Sequence, residues 1–179
     1  MNEFNQKDKG NKKDAQVKTF PVQFAFKEIQ ENFNINNNSL SKFSKEGIIN
    51  QAINFHKKGN ILEAKKYYKY FIDKGFIDYR VFSNYGTILK DYGNLKEAEF
   101  YLRKSIEINP TFAEGHYNLG NILKDLDKQK EAELCLRKAI KINPSLTEGY
   151  YNLGKILKDL NKQKEAELCL RKAIKLKPD

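Results

Sequence analysis

Asparagine stands at positions 50, 84, 118 and 152, each 34 residues from the last. A carboxamide carries both a donor and an acceptor. A row of Asn50, Asn84, Asn118 and Asn152 therefore matches the N–H and C=O groups of an extended polypeptide, and it reads main chain rather than side chain. Six residues after each asparagine comes His56, Lys90, Lys124 or Lys158, a basic row suited to attracting acidic peptide segments. Asp91, Asp125 and Asp159 directly follow the three lysines and partly cancel them, so a solvated face is the plain alternative for both rows. The asparagines have an alternative too, as hydrogen-bond partners between neighbouring segments of a stacked chain.

Other chemistry lacks its residues. The sequence has no Ser/His/Asp set, no Cys/His pair and no GK[ST] phosphate loop, so no catalytic constellation can be assembled. His56 and His116 are far apart in sequence and join no metal-ligand cluster. Cys135 and Cys169 are 34 residues apart. Equivalent sites on packed neighbouring helices are about 10 Å apart, beyond disulfide reach, so both read as small core or boundary residues. The expectation is a protein with no catalysis, cofactor or metal. The formal net charge is +10, but the excess is spread at +1 to +3 per segment rather than gathered into a stripe, which argues against nucleic acid. No apolar run reaches about 18 residues, so no membrane span is expected. The start, MNEFNQKDKGNKKDAQ, lacks a secretory apolar stretch, and the expected location is cytoplasmic.

The spacing comes from a repeat. KQKEAELCLRKAIK occurs at 128–141 and again at 162–175. Cutting every 34 residues gives blocks 45–78, 79–112, 113–146 and 147–179 without a gap; block positions below count from Lys45, Tyr79, Ala113 and Thr147. Each block predicts two helices. In block three, His116, Leu119, Gly120 and Leu123 make one apolar face, and Ala132, Leu136, Ala139 and Ile140 make the other. Position 8 is Ala52, Gly86, Gly120 and Gly154, and position 20 is Ala64, Ala98, Ala132 and Ala166. These small residues are expected where the two helices touch, since glycine inside a helix costs about 1 kcal/mol relative to alanine. Pro110, Pro144 and Pro178 stop the second helix. Asn60 and Asn94, three residues before Glu63 and Glu97, predict capping boxes. Glu99–Arg103, Glu133–Arg137 and Glu167–Arg171 are i, i+4 pairs in the favourable order.

Comparing blocks with one another isolates what is not recent copying. Blocks three and four agree at 26 of 33 positions, blocks one and four at only six. Four columns hold in all blocks. Alanine 20 and isoleucine 28 (Ile72, Ile106, Ile140, Ile174) read as core. Glutamate 19 (Glu63, Glu97, Glu131, Glu165) sits in a first helical turn, where negative charge is favourable. The fourth column is the asparagine at position 6, which lies roughly 150° from the apolar stripe and has no helix-propensity reason to be there. Its replacement by alanine is expected to leave melting nearly unchanged.

The 34-residue length, the L-G-x-x-L pattern of Leu119-Gly120…Leu123 and Leu153-Gly154…Leu157, the alanine column and the prolines resemble the tetratricopeptide repeat (TPR) family over residues 45–179. The resemblance implies an all-α, right-handed α-solenoid of four stacked TPR helix pairs, with a concave face lined mainly by first helices. The asparagine column is similar to the peptide-binding asparagine ladder in the TPR region of protein O-GlcNAc transferases. The implied function is a non-enzymatic protein–protein interaction scaffold holding an extended peptide of a protein partner. The alternative is the substrate-recognition module of a protein glycosyltransferase or other transferase whose catalytic domain lies outside this chain. Ile49 and Ile53 stand where carboxylate-clamp TPRs need a basic residue and asparagine, which disfavours that subclass.

Residues 1–44 read as a largely irregular segment. Phe20, Val22, Phe24 and Phe26 alternate as in an extended strand, either packing on the array or docking elsewhere. Lys27–Phe33 predicts a turn or two of helix, and Asn34–Ser44 a linker. No further polar helix follows block four, so the expectation is either a truncated relative of a longer protein or a last face covered by another chain, as in self-association through the uncapped last repeat.

Overall fold

The computed structural model describes residues 43–177. The N-terminal readings before Phe43, and Pro178, lie outside the described residues. Eight α-helices follow one another: α1 Lys45–Lys57, α2 Ile61–Asp73, α3 Tyr79–Asp91, α4 Leu95–Ile108, α5 Ala113–Asp125, α6 Gln129–Ile142, α7 Thr147–Asp159 and α8 Gln163–Leu176. There is no strand among the described residues. The fold is an all-α stack of four helix pairs, as the periodicity requires.

Each pair turns over three residues. The second turn residue has positive φ: +76° at Gly59, +78° at Gly93, and +59° at Asp127 and Asn161. This is a Schellman stop. The next N–H donates back over the last helical turn, as Asn60 does to the Phe55 carbonyl at 2.9 Å and Lys128 to that of Leu123 at 2.8 Å. The tight return explains one departure from expectation. Asn60 and Asn94 make no side-chain cap bond. Leaving the turn, their ψ is 66° and 59°, whereas the two side chains that do cap, Ser44 and Asp78, have ψ of 161° and 128°. Only the extended value swings the side chain over the first N–H groups. Glu63, Glu97, Glu131 and Glu165 do occupy first turns. The α4 and α6 helices end at Ile108 and Ile142, before Asn109-Pro110 and Asn143-Pro144. A residue preceding proline is steered out of the helical region, and here φ is −128° and −121°.

Within a pair, position 8 meets positions 20 and 24. Ala64, Ala98 and Ala132 are fully buried. A Cβ on Gly86, Gly120 or Gly154 would lie 2.9, 2.8 or 2.8 Å from Cγ of Leu102, Leu136 or Leu170. The glycines are thus required by a branched leucine across the seam. Block one has alanine at position 8, and there position 24 is the flat ring of Tyr68.

Between pairs, isoleucine 28 overlies position 3 of the next block. A Cβ on Gly115 would come within 3.1 Å of Ile106 Cγ2, and one on Gly149 within 2.8 Å of Ile140 Cγ2. The column is therefore an inter-repeat contact and not uniformly core. Ile72, Ile106 and Ile140 are half-buried, while Ile174, with no such neighbour among the described residues, is 66% exposed. Cys135 and Cys169 are free and half-buried, and burial pushes both thiols up.

Candidate functional site

The first helices α1, α3, α5 and α7 carry the asparagine column. Their apolar faces, such as Val81, Ile88 and Leu89 on α3 or Leu119, Ile122 and Leu123 on α5, are buried against the partner helices. Position 6 is therefore held at the border of packing and solvent. Asn50 is exposed and makes no hydrogen bond among the described residues. The other three are half-buried, and each spends its Nδ2 on the preceding repeat. Asn84 donates to Tyr68 Oη at 3.0 Å. Asn118 donates to Ser83 Oγ at 3.4 Å. Asn152 donates to Asn121 Oδ1 at 2.8 Å and to Tyr117 Oη at 3.3 Å. Among the described residues none of the three Oδ1 atoms accepts a hydrogen bond. Of the two roles weighed from sequence, the hydrogen bond between neighbouring repeats is present at all three, and one acceptor is left over on each side chain. Removing these side chains deletes real hydrogen bonds, so the unchanged melting expected from sequence is revised to a measurable drop.

Burial pushes the Tyr68 phenol up to about 12, with the Asn84 hydrogen bond pulling the other way. It remains a neutral hydroxyl at physiological pH. In the basic row, Lys90 and Lys124 are half-buried and Lys158 is exposed. Lys124 Nζ lies 3.5 Å from Asp125 Oδ1, so the acidic row does offset the basic one at that rung. Burial lowers the His56 imidazole, against the upward pull of Asp91. The two positions flanking the asparagines on this face change character along the array, from Ile49 and Ile53 in block one to Tyr151 and Lys155 in block four.

Sequence reasoning missed a second periodic constellation, on the second helices. Glu99 accepts from Arg103 of its own helix at 2.8 Å and from Lys128 of the next repeat at 2.8 Å. Arg103 also reaches Glu131 at 2.6 Å. One repeat later Glu133 pairs with Arg137 and Lys162, and Arg137 with Glu165. The i, i+4 pairs were visible. What hid the rest is that Glu99 and Lys128 lie 29 residues apart and meet only when repeats stack. Burial pushes the Glu99 and Glu133 carboxyls up, but the hydrogen bonds and charges of their lysine and arginine partners outweigh it and hold both below the usual carboxylate range.

His116, expected on the apolar face of α5, is 3% exposed. Its Nε2–H donates to the Pro110 carbonyl at 3.0 Å, leaving Nδ1 buried without a partner among the described residues. Burial lowers its pKa, the Pro110 contact opposes this, and the Lys138 charge adds to the lowering. An unfolded imidazole takes up a proton near pH 6.5, the folded one only at lower pH, so stability falls as pH drops through that window. The glutamate contributions have the same sign lower down: present above the ordinary carboxylate value, lost as pH falls through their depressed ones. Melting temperature is therefore expected to decline between about pH 7.5 and 5.5. His116→Tyr, which copies Tyr150 at the same block position, flattens that decline; an equally steep curve in the variant disproves the assignment to His116.

An apolar hollow of about 370 Å³ lies among Ile72, Ile77, Phe82, Phe100, Tyr101 and Ile108. Among the described residues no three His, Cys, Asp or Glu side chains form a metal-holding group, and no helix is long and apolar enough to cross a membrane.

Comparison with known proteins agrees with the geometry. Models of the tetratricopeptide repeat match residues 79–112, 113–146 and 147–179. No curated protein matches the sequence. Among solved structures, the chain resembles YrrB, described as a TPR protein with an unusual peptide-binding site, at 21% identity and TM-score 0.69, over 88% of this chain and 82% of that one. It resembles MamA at 18% identity and TM-score 0.68, over 87% and 86%. It resembles MamA 41-end from Desulfovibrio magneticus RS-1 at 17% identity and TM-score 0.68, over 77% and 78%. At such identities the likeness is one of fold. With three contiguous blocks matched, more than half of its length, the chain belongs to the tetratricopeptide repeat family.

Proposed function

We propose that this protein is a non-enzymatic scaffold that binds an extended peptide segment of a protein partner along the face carrying Asn50, Asn84, Asn118 and Asn152. The observation that carries the reading is the state of three successive carboxamides: each is oriented by its Nδ2 bond to the preceding repeat, and each has an Oδ1 that accepts nothing from the described residues. Fixing the side chain in advance lowers the entropy cost of gripping a ligand, and an acceptor row receives main-chain N–H groups irrespective of sequence. Lys90, Lys124 and Lys158 add attraction for acidic segments, weakened at Lys124 by Asp125. YrrB, of the same fold, is described as having a peptide-binding site, which makes peptide capture the natural use of such a face.

The test is fluorescence anisotropy with extended peptides selected on the full chain. Asn84→Ala/Asn118→Ala/Asn152→Ala is expected to weaken binding about 10- to 100-fold, two or so hydrogen bonds of about 1 kcal/mol each. Its melting falls by several degrees, while its circular dichroism stays helical. Undiminished affinity in the folded triple variant refutes the site. The asparagine column would equally serve the substrate-recognition part of a protein glycosyltransferase; a co-purifying enzyme that transfers sugar to the captured peptide would move the reading there.

A further inference from the structure

The end face of the fourth helix pair carries the residue types that meet the next repeat at the two junctions before it, and none of the described residues covers it. At the junctions between the last three repeats, three pairs of block positions meet. Position 5 accepts from asparagine 6 of the next repeat, as Tyr117 does from Asn152. Arginine 25 pairs with glutamate 19, as Arg103 with Glu131. Isoleucine 28 overlies glycine 3, as Ile140 over Gly149. In the fourth pair the same positions hold Tyr151, Arg171 and Ile174. Here the arginine side chain is 75% exposed, against 41% for Arg137 one repeat earlier.

The complementary set stands on the first pair. Positions 6, 19 and 3 of block one are Asn50, Glu63 and Gly47. Asn50 is exposed and without a hydrogen bond among the described residues, and the Glu63 side chain, paired with Lys66 at 2.6 Å, is 43% exposed. Each matches its counterpart by kind: amide to phenol, carboxylate to guanidinium, and a missing Cβ to an isoleucine. We infer that a second copy of this chain stacks its first helix pair on the fourth, head to tail, through Tyr151–Asn50, Arg171–Glu63 and Ile174–Gly47. The contact uses the end of the stack and shares only Asn50 with the asparagine face proposed for peptide. Because the two surfaces differ, the interface is heterologous, and association does not stop at a dimer unless a ring closes.

Sedimentation velocity of the full chain from about 1 to 300 µM tests this. The weight-average mass is expected to rise with concentration and to fall again in high salt. Arg171→Glu and Glu63→Arg each place like charges in the contact, and each alone is expected to weaken association about tenfold or more. An equimolar mixture of the two variants restores opposite charges at every junction and recovers the wild-type mass, as does the doubly exchanged chain. Circular dichroism confirms that each variant is folded. A wild type that stays monomeric throughout, or a mixture no more associated than its components, overturns the inference. Survival of association in the triple asparagine variant separates this contact from the peptide site.

Discussion

Leu136→Ala is expected to lower the stability of the array by about 2–5 kcal/mol. Leu136 has no solvent exposure, and its Cγ fills the notch that Gly120 leaves in the facing helix, 2.8 Å from where a Cβ would be. Truncation removes the transfer free energy of three carbons and opens a cavity between α5 and α6. The rigid walls on either side, Leu119, Leu123 and Ala132, are themselves fully buried and cannot collapse freely. For a chain of this size each kcal/mol shifts melting by about 2–4 °C, so thermal denaturation should register a fall of roughly 5–15 °C. Stacked repeats are stabilised by neighbour contacts, so hydrogen exchange should rise most in α5 and α6. A shift of under about 1 °C would mean that the seam is not packed as described.

Gly120→Ala should also destabilise, and its effect should reverse beside the first variant. The new methyl group would meet Leu136 Cγ at 2.8 Å and Cδ2 at 2.9 Å. Overpacking of this kind costs about 1–3 kcal/mol, from which the helix-propensity gain of about 1 kcal/mol is subtracted. In the Leu136→Ala background the obstructing carbons are gone. The same methyl then fills part of the cavity and keeps the propensity gain, so it stabilises. The double variant is therefore more stable than the sum of the single effects, by about 1–3 kcal/mol of coupling. Denaturant melts of the four proteins measure this. Strict additivity would place the reason for the glycine somewhere other than Leu136.

The local rules were legible because they act within a few residues. Leucine and alanine at helical spacing, glycine at position 8 and proline at position 32 each constrain their own neighbourhood. Thus the 34-residue period, the helix pairs, the small-residue seam and the stops before Asn109-Pro110 and Asn143-Pro144 were all readable. The capping boxes were misread for a reason still local but finer: Ser44 and Asp78 leave an extended approach, while Asn60 and Asn94 leave a tight turn whose ψ points the side chain elsewhere. Isoleucine 28 was misread because one column serves two environments, half-buried at Ile140 and open at Ile174.

The repeating unit is written into the order of residues, since hydrophobic spacing and helix stops act through bonds and a few ångströms of space. Every relation between units comes from packing in three dimensions. That Asn152 is tied to Asn121, that Glu133 gathers Arg137 and Lys162, and that Arg171 and Ile174 face outward depends on the register of one helix pair against the next. Register is a sum of many weak contacts between residues some 28 to 35 apart, and no single residue or spacing records it.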